Sequence, residues 1–193
     1  MSDSPSLRSA VRPGPPPPAS RITAAGVEWL LSADSPGCPV RRLWAVQPGA
    51  PGVLPCGTVF DVVSTAVVPG RALLERLWRS GPGSGPVAVH RDRLLLFAKP
   101  GTAASLPRLL AWEVWADGGG DTAETIPHVI GHGHGDTVTV PGPAASAQGA
   151  TGCRWLVAPE VRRPWLPGAE ALLWAHVRAH RARRAGLRWS ANP

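Results

Sequence analysis

The chain has 193 residues, a formal charge of +7 at pH 7 and an isoelectric point near 11.1. It contains no apolar run of membrane-spanning length and no apolar signal core near its N-terminus, so we expect a soluble, cytoplasmic protein with no membrane partner. Its length suits one domain with tails. Its three cysteines lie far apart without a Cys-x-x-Cys pair, which argues against a disulfide framework and a structural zinc site.

The N-terminal part of the chain changes character near residue 20. Residues 1–20 are rich in serine and proline, include a run of four prolines and have few apolar side chains. This composition predicts a disordered arm. Residues 21–34 place apolar side chains at roughly helical spacing before a Ser-Pro-Gly stop, which predicts a helix. Residues 40–46 are too short for their period to decide between a strand and a short helix.

The centre of the chain predicts half of a small sheet. The predicted elements are a strand closing on 60–63, an amphipathic helix at 70–80, a Gly/Pro connector at 81–86 and two apolar runs at 87–90 and 93–98. The connector lacks the Gly-Lys-Ser/Thr ending of a phosphate loop. The two apolar runs flank Arg91-Asp92 and form either a hairpin or one bent strand.

The second half of the chain predicts further helices and strands. These are a helix at 102–117 with Thr102 as its N-cap, strands at 125–130 and 136–140 around a Gly-His-Gly-His-Gly turn, a strand at 154–156 and an Arg-rich helix at 169–185. We therefore place one α+β domain at residues 21–167 and a basic C-terminal helix and tail at 168–193.

Two groups of polar residues are candidates for a metal site. Asp61 is the only acid in an otherwise apolar strand, so it is either a satisfied polar residue at a strand end or a metal-binding carboxylate. His128, His132 and His134 form a local cluster, and a metal enzyme could combine them with Asp61. The interpretation we favour for the cluster is a Gly-rich turn that exposes solvated histidines.

A basic, aromatic C-terminus predicts contact with nucleic acid. The residues concerned are Arg178, Arg181, Arg183, Arg184, Arg188 and Trp189. Arginines can contact phosphates, and an exposed tryptophan can stack on a base. Trp165, which lies between prolines, is a second candidate for stacking. A simpler explanation for part of the arginine cluster is that cations stabilise the carboxyl end of a helix.

The order of these elements resembles the N-terminal domain of bifunctional DNA primase/polymerases, of the archaeo-eukaryotic primase superfamily. In that family an Asp-x-Asp strand end is followed by a helix and a strand carrying Ser-x-His. A second similarity runs from Gly135 through the strand at 138–140, a Pro-Gly-Pro turn and a variable loop to Arg154-Trp155-Leu156. Across about residues 21–160 the resemblance implies an α+β, RRM-like, mixed sheet with flanking helices in a single domain.

The resemblance also implies a chemistry, and this chain departs from it at the catalytic positions. Nucleotidyl transfer uses two Mg²⁺ or Mn²⁺ ions held by several carboxylates. Asp61 is the one acid of the family pattern that is retained, and Val63 stands at the second position of Asp-x-Asp. Leu94 stands where the family has its histidine. A working two-metal site would need substitutes such as Asp92, His90 or Asp136. We therefore expect an impaired primase/polymerase rather than an active metal-dependent nucleotidyltransferase.

The function implied by the resemblance is that of a primase/polymerase-like protein linked to DNA replication. We expect it to retain binding of nucleic acid, most naturally DNA, or of a nucleotide. The alternative is a non-catalytic module on the same fold that binds a protein partner through its Trp/Pro surface.

Overall fold

The computed structural model describes residues 21–33, 39–80, 83–116, 129–145 and 152–190, with only the backbone at 80, 114–116 and 183–190. The N-terminal arm predicted at 1–20 lies outside the described residues, as does His128. None of the helices in the described stretches is both long and apolar enough to cross a bilayer.

Five helices and seven strands follow one another in this part of the chain. In order they are α1 (Ala24–Ser32), α2 (Val40–Val46), β1 (Gly52–Pro55), β2 (Asp61–Ala66), α3 (Val67–Ser80), β3 (Val87–His90), β4 (Arg93–Ala98), α4 (Thr102–Ala116), β5 (Ile130–His132), β6 (Thr137–Val140), β7 (Cys153–Val157) and α5 (Ala169–Ser190). The α+β class and the single domain predicted from the sequence are confirmed.

The main sheet has the strand order β5-β2-β4-β3-β7, and β1 pairs separately with β6. Every pairing of neighbouring strands in the main sheet is antiparallel, so the mixed sheet expected from the sequence is corrected on this point. The reason lies in the connections. Helix α3 returns the chain so that β3 runs in the same direction as β2, and β4 then folds back into the gap between them.

The same arrangement occurs a second time, because α4 connects β4 to β5 while β2 lies between these two strands. The elements β2-α3-β3-β4-α4-β5 therefore form two interleaved split βαβ units, the pattern of ferredoxin-like domains. Strand β7 extends the sheet beyond β3, and α1, α2 and the β1–β6 ribbon are added to this unit. The β3–β4 connection is a hairpin, which settles the choice left open by the sequence.

Helices α3, α4 and α5 cover one face of the sheet. The buried residues that join them to the strands are Val63, Leu73, Leu74, Leu77, Val87, Leu94, Leu96, Ala98, Leu106, Leu110, Leu172 and Ala175. Alternate residues of β4 face this layer, as expected for a strand with both faces buried. The C-terminal helix α5 thus packs on the domain through Leu172 and Ala175.

The opposite face of the sheet has no long helix over it and is covered at one end by α1, α2 and the β1–β6 ribbon. Its core is aromatic: the Phe97 ring lies 4.9 Å from Phe60, 5.6 Å from Trp29 and 5.6 Å from Trp155. Helix α1 begins where the Thr23 hydroxyl accepts a hydrogen bond from the Gly26 N–H. Residues 40–46, whose apolar run does not distinguish helix from strand, form helix α2.

Strand β5 lies further along the chain than predicted. The sequence predicts a strand at 125–130 followed by a turn, whereas β5 runs over Ile130–His132, and 125–128 lie outside the described residues. Gly131 explains the placement, since a Cβ there would lie 2.7 Å from the Ala103 carbonyl oxygen of α4. Only glycine allows β5 to pass this close to α4 while pairing with β2, so part of the predicted turn becomes strand.

Helix α5 carries a buried histidine that makes the fold sensitive to acid. Burial first, and then the neighbouring His180, lower the pKa of His176 from 6.5 to about 4. Above pH 6.5 the ring is neutral in both folded and unfolded chains. Between pH 6.5 and 4 the unfolded chain binds the proton more readily, so stability falls as the pH falls, by about 3 kcal/mol at most.

We expect urea midpoints to decline between pH 7 and pH 4.5, and a His176→Leu variant to decline less over that range. The comparison measures the difference between the two proteins, which removes the contribution of other titrating groups. Parallel declines in the two proteins would contradict this assignment.

Candidate functional site

A pocket of about 290 Å³ opens on the face of the main sheet opposite helices α3, α4 and α5. We call it the sheet-face pocket. Its lining comes from β2, the β3–β4 hairpin, β5 and β6: Ser64, His90, Arg91, Asp92, Arg93, Leu95, Ile130, His132, Thr137, Val138 and Thr139. It lies at the hairpin end of the sheet, beyond the aromatic core that fills the other end of the same face.

Strand alternation decides which side chains reach this pocket. In β2, Val62 and Ser64 face the pocket side, whereas Asp61 and Val63 face the helices. The hairpin pairs His90 with Arg93, and Arg93 in turn pairs with Ala66 of β2. His90, Arg93 and Ser64 consequently lie on one face although they come from three strands.

Ser64 joins the two principal polar groups of the pocket. Its hydroxyl lies 3.0 Å from the Nε2 atom of His132 and accepts a hydrogen bond of 3.2 Å from the Nε–H of Arg93. The Nη2–H of Arg93 also donates to the Ser64 carbonyl oxygen at 3.0 Å. The guanidinium is therefore held by two bonds to one residue. Within the described residues its three other N–H groups have no protein partner.

The two histidines of the pocket are largely neutral at pH 7. Burial lowers the pKa of His132; Asp136 raises it and Arg93 lowers it further. Burial and the charge of Arg91 lower the pKa of His90. A neutral His132 can accept the Ser64 proton at Nε2 and keep its own proton on Nδ1. The Nδ1 atom of His90, a residue that lines the pocket, is buried without a partner among the described residues.

Asp61, the candidate catalytic and metal-binding acid, lies on the other face of the sheet from His90. It is 1% exposed, and its Oδ2 atom accepts a hydrogen bond of 2.8 Å from the Ala103 N–H in the first turn of α4. The sequence predicts Thr102 as the N-cap of this helix, but Thr102 is its first residue and Asp61 supplies the acceptor. The structure thus does not bring Asp61 and His90 together in one site.

This placement predicts a stability effect for Asp61→Ala. Loss of the carboxylate removes the acceptor of a helix-terminal N–H, which typically costs about 1–2 kcal/mol. Asp61→Asn keeps an oxygen in the same position and should retain part of that stability. Urea unfolding with and without Mg²⁺ measures both variants. A wild-type stabilisation by Mg²⁺ that disappears in Asp61→Ala would instead support a metal-binding role.

The structure separates the predicted histidine cluster. His132 was expected in a solvated turn, and this is corrected: it belongs to β5, pairs with Val62 and bonds to Ser64. The reason is the extension of β5 through Gly131. His134 is exposed in the following turn, as expected, and His128 lies outside the described residues. No group of three or more His, Cys, Asp or Glu side chains in the described part of the chain is arranged to hold a metal ion.

The C-terminal basic residues are distributed along α5. Arg178 is exposed, with its guanidinium carbon 5.0 Å from the centre of the Trp174 ring. Arg181 donates to the carboxylate of Glu113 on α4 at 3.2 Å. The side chains of Arg183, Arg184, Arg188 and Trp189 lie outside the described residues, although their backbone belongs to α5. Their predicted contact with nucleic acid stays a prediction.

Sequence reasoning did not single out Ser64, Arg93 or His132 as one site. Two signals were available for part of it. Alternation along β2 places the side chains of Ser64 and Asp61 on opposite faces of the sheet. A two-residue turn at Arg91-Asp92 pairs His90 with Arg93 across the hairpin. No local signal places His132 beside Ser64, because this contact depends on the pairing of β5 with β2.

Comparison with protein-family models, with curated proteins and with solved structures returned no match. The resemblance to primase/polymerase domains stays a prediction from the order and spacing of the motifs in this sequence. What can be argued about function rests on the geometry of the sheet-face pocket, where an arginine fork, a serine and two neutral histidines face an open space beside a ferredoxin-like sheet.

Proposed function

We propose that this chain is a primase/polymerase-like protein linked to DNA replication that binds the phosphate groups of a nucleotide in the sheet-face pocket. In this proposal it does not carry out two-metal nucleotidyl transfer. Its natural setting is the cytoplasm, where nucleotides and DNA are both available in bacterial cells.

The observation that carries the proposal is the Arg93–Ser64–His132 group. An arginine fork is the side chain best suited to bidentate binding of phosphate. Here the guanidinium is already oriented by Ser64, so a ligand would not have to order it. It also lies on the sheet face opposite α3, α4 and α5, and RRM domains likewise use one face of their sheet to bind nucleotides.

The side chains around Arg93 suit an anion in a second way. His90 and His132 are largely neutral at pH 7, so they can donate one hydrogen bond each without the desolvation cost of a buried charge. When the pH falls through their lowered pKa values they gain positive charge. The affinity for a phosphate group should accordingly increase as the pH falls below 6.5, the ordinary pKa of histidine.

The donor set of this region does not fit the two-metal centre implied by the family resemblance. Such a centre needs several carboxylates converging on two ions. Asp92 is the one carboxylate that lines the sheet-face pocket, and Asp61 points to the opposite face and binds the Ala103 N–H. We therefore assign no step to Mg²⁺ or Mn²⁺ in this proposal, and the residues of the pocket only bind and orient phosphate.

Isothermal titration with a deoxynucleoside triphosphate, in Mg²⁺ and in EDTA, tests this function. We expect saturable binding in both buffers, competition by inorganic triphosphate and no primer extension. Absence of binding at low ionic strength would contradict the proposal. Metal-dependent primer extension would contradict the absence of transfer chemistry and would revive the catalytic prediction for Asp61.

The alternative function, a protein-binding module, is favoured by one observation. Trp165 is 40% exposed and Trp174 38% exposed, although large aromatic side chains are usually buried. A nucleotide titration without binding, together with a partner captured by wild type and lost on Trp174→Ala, would favour this alternative.

A further inference from the structure

A second, larger depression lies on the other side of the sheet from the sheet-face pocket. It has a volume of about 660 Å³, and we call it the tryptophan groove. Its walls are the residue that follows β4, the first turns of α4, the loop before α5 and the first turn of α5: Lys99, Ser105, Arg108, Leu109, Trp165, Gly168, Ala169, Glu170 and Ala171.

The backbone under Trp165 is firmly held while its ring stays accessible. The Lys99 N–H donates a 3.0 Å hydrogen bond to the Pro167 carbonyl oxygen, which ties the loop to the end of β4. Leu166 is buried in the aromatic core. Trp165 itself is 40% exposed and lines the groove. An exposed aromatic side chain on an anchored backbone segment offers a surface on which another flat group can stack.

Two cations line the same groove as Trp165. Lys99 and Arg108 are both exposed, and the described residues contain no ion pair for either one. The lysine stem runs past Gly168, with its Cδ atom 3.9 Å from where a Cβ would be. Glu170 is the one acid in the groove, and the amino end of α5 partly compensates its charge. The groove thus combines a stacking surface with a net positive charge.

We infer that the tryptophan groove binds a segment of single-stranded nucleic acid, with one base stacked on Trp165 and the adjacent phosphates near Lys99 and Arg108. This combination of an aromatic platform and cations is how sequence-tolerant single-strand sites work. The inference rests on the proposed function in one respect, the link to DNA replication. It goes beyond it because the groove, rather than the sheet-face pocket, holds the strand.

The two sites can be tested separately because of where they lie. Arg93 begins β4 and Lys99 follows its end, so six residues of extended chain, about 20 Å, separate them. Substitutions at such distances usually have additive effects. A change at Trp165 should therefore leave the titration of inorganic triphosphate, which has no base to stack, unaltered.

The experiment is fluorescence anisotropy of a labelled oligothymidylate of about 12 nucleotides, a length within the range of known single-strand sites, over a salt series. We expect Trp165→Leu to weaken binding roughly fivefold or more, since leucine keeps an apolar contact but cannot stack. Trp165→Phe should restore part of the affinity. Trp112→Ala, which removes an exposed tryptophan from α4 outside the groove, is the matched control and should bind as wild type.

The salt series tests the phosphate contacts. Lys99→Gln and Arg108→Gln should each reduce the slope of log affinity against log salt by about 0.7, the contribution of one phosphate on a single strand. Arg71→Gln, on the exposed side of α3, removes the same charge elsewhere and should leave the slope nearly unchanged.

Three outcomes would overturn the inference. One is wild-type affinity in Trp165→Leu, and another is an equal loss in the Trp112→Ala control. The third is that no oligonucleotide binds at low salt. This third outcome includes the case in which Trp165 is needed to capture a protein instead. Titration with inorganic triphosphate in the same preparations reports on the sheet-face pocket, because this probe has no base to stack on Trp165, so these failures are distinct from failure of the proposed function.

Discussion

An Arg93→Gln protein is expected to bind nucleoside triphosphate at least about tenfold more weakly than wild type, a loss of about 1.4 kcal/mol or more. Hydrogen bonds to a charged partner contribute about 1.5–3 kcal/mol each, and the guanidinium has three N–H groups available in the sheet-face pocket. Arg93→Lys keeps the charge but loses the fork held by Ser64, so it should be intermediate.

The control for this prediction is Arg71→Gln, which lowers the net charge by the same amount on an exposed helix. Because Arg93 also donates to Ser64, thermal melts must show that Arg93→Gln is folded at the temperature of the titration. Equal affinities in Arg93→Gln and Arg71→Gln would show that the pocket does not bind the phosphates.

The largest effect on stability is expected from Phe97→Ala, at about 3–5 kcal/mol. Phe97 is fully buried and lies within 5.6 Å of three other aromatic rings, those of Trp29, Phe60 and Trp155. Its removal leaves a cavity where α1 meets the sheet, and the aromatic contacts themselves contribute beyond the buried area. A substantial fraction of the total stability of a domain would be lost.

Urea unfolding of Phe97→Ala and Phe97→Leu measures this effect, with Phe97→Leu expected to lose the smaller part because it fills most of the space. A loss below about 1 kcal/mol in Phe97→Ala would contradict the packing described for this face. Since the sheet-face pocket lies at the other end of the sheet, folded Phe97→Leu should bind nucleotide as wild type does.

Much of the architecture could be predicted from local sequence. Apolar spacing and stop signals located α1, α3, α4 and α5, and the hairpin was one of two readings of the Arg91-Asp92 turn. The missing part was pairing between distant strands. No local pattern shows that β4 inserts between β2 and β3. A mixed sheet was therefore expected, whereas the structure has an antiparallel sheet.

The candidate site was less predictable for a similar reason. Asp61 attracted attention as a lone acid in an apolar strand, and its role in the structure is to accept a hydrogen bond from a helix 42 residues further along the chain. His132 was interpreted as part of a flexible turn, because the glycines beside it usually indicate one. Gly131 instead allows close packing against α4, and this contact cannot be recognised without the fold.

The most direct measurement of the central claim is an NMR spectrum of the histidine side chains during a nucleotide titration. The chain has six histidines, so the imidazole ¹⁵N resonances should be separable. We predict saturable shifts for His90 and His132, with His132 protonated on Nδ1, and no shift for His176 in α5. Saturable nucleotide binding that leaves His90 and His132 unchanged would contradict the assignment of the phosphate site to the sheet-face pocket.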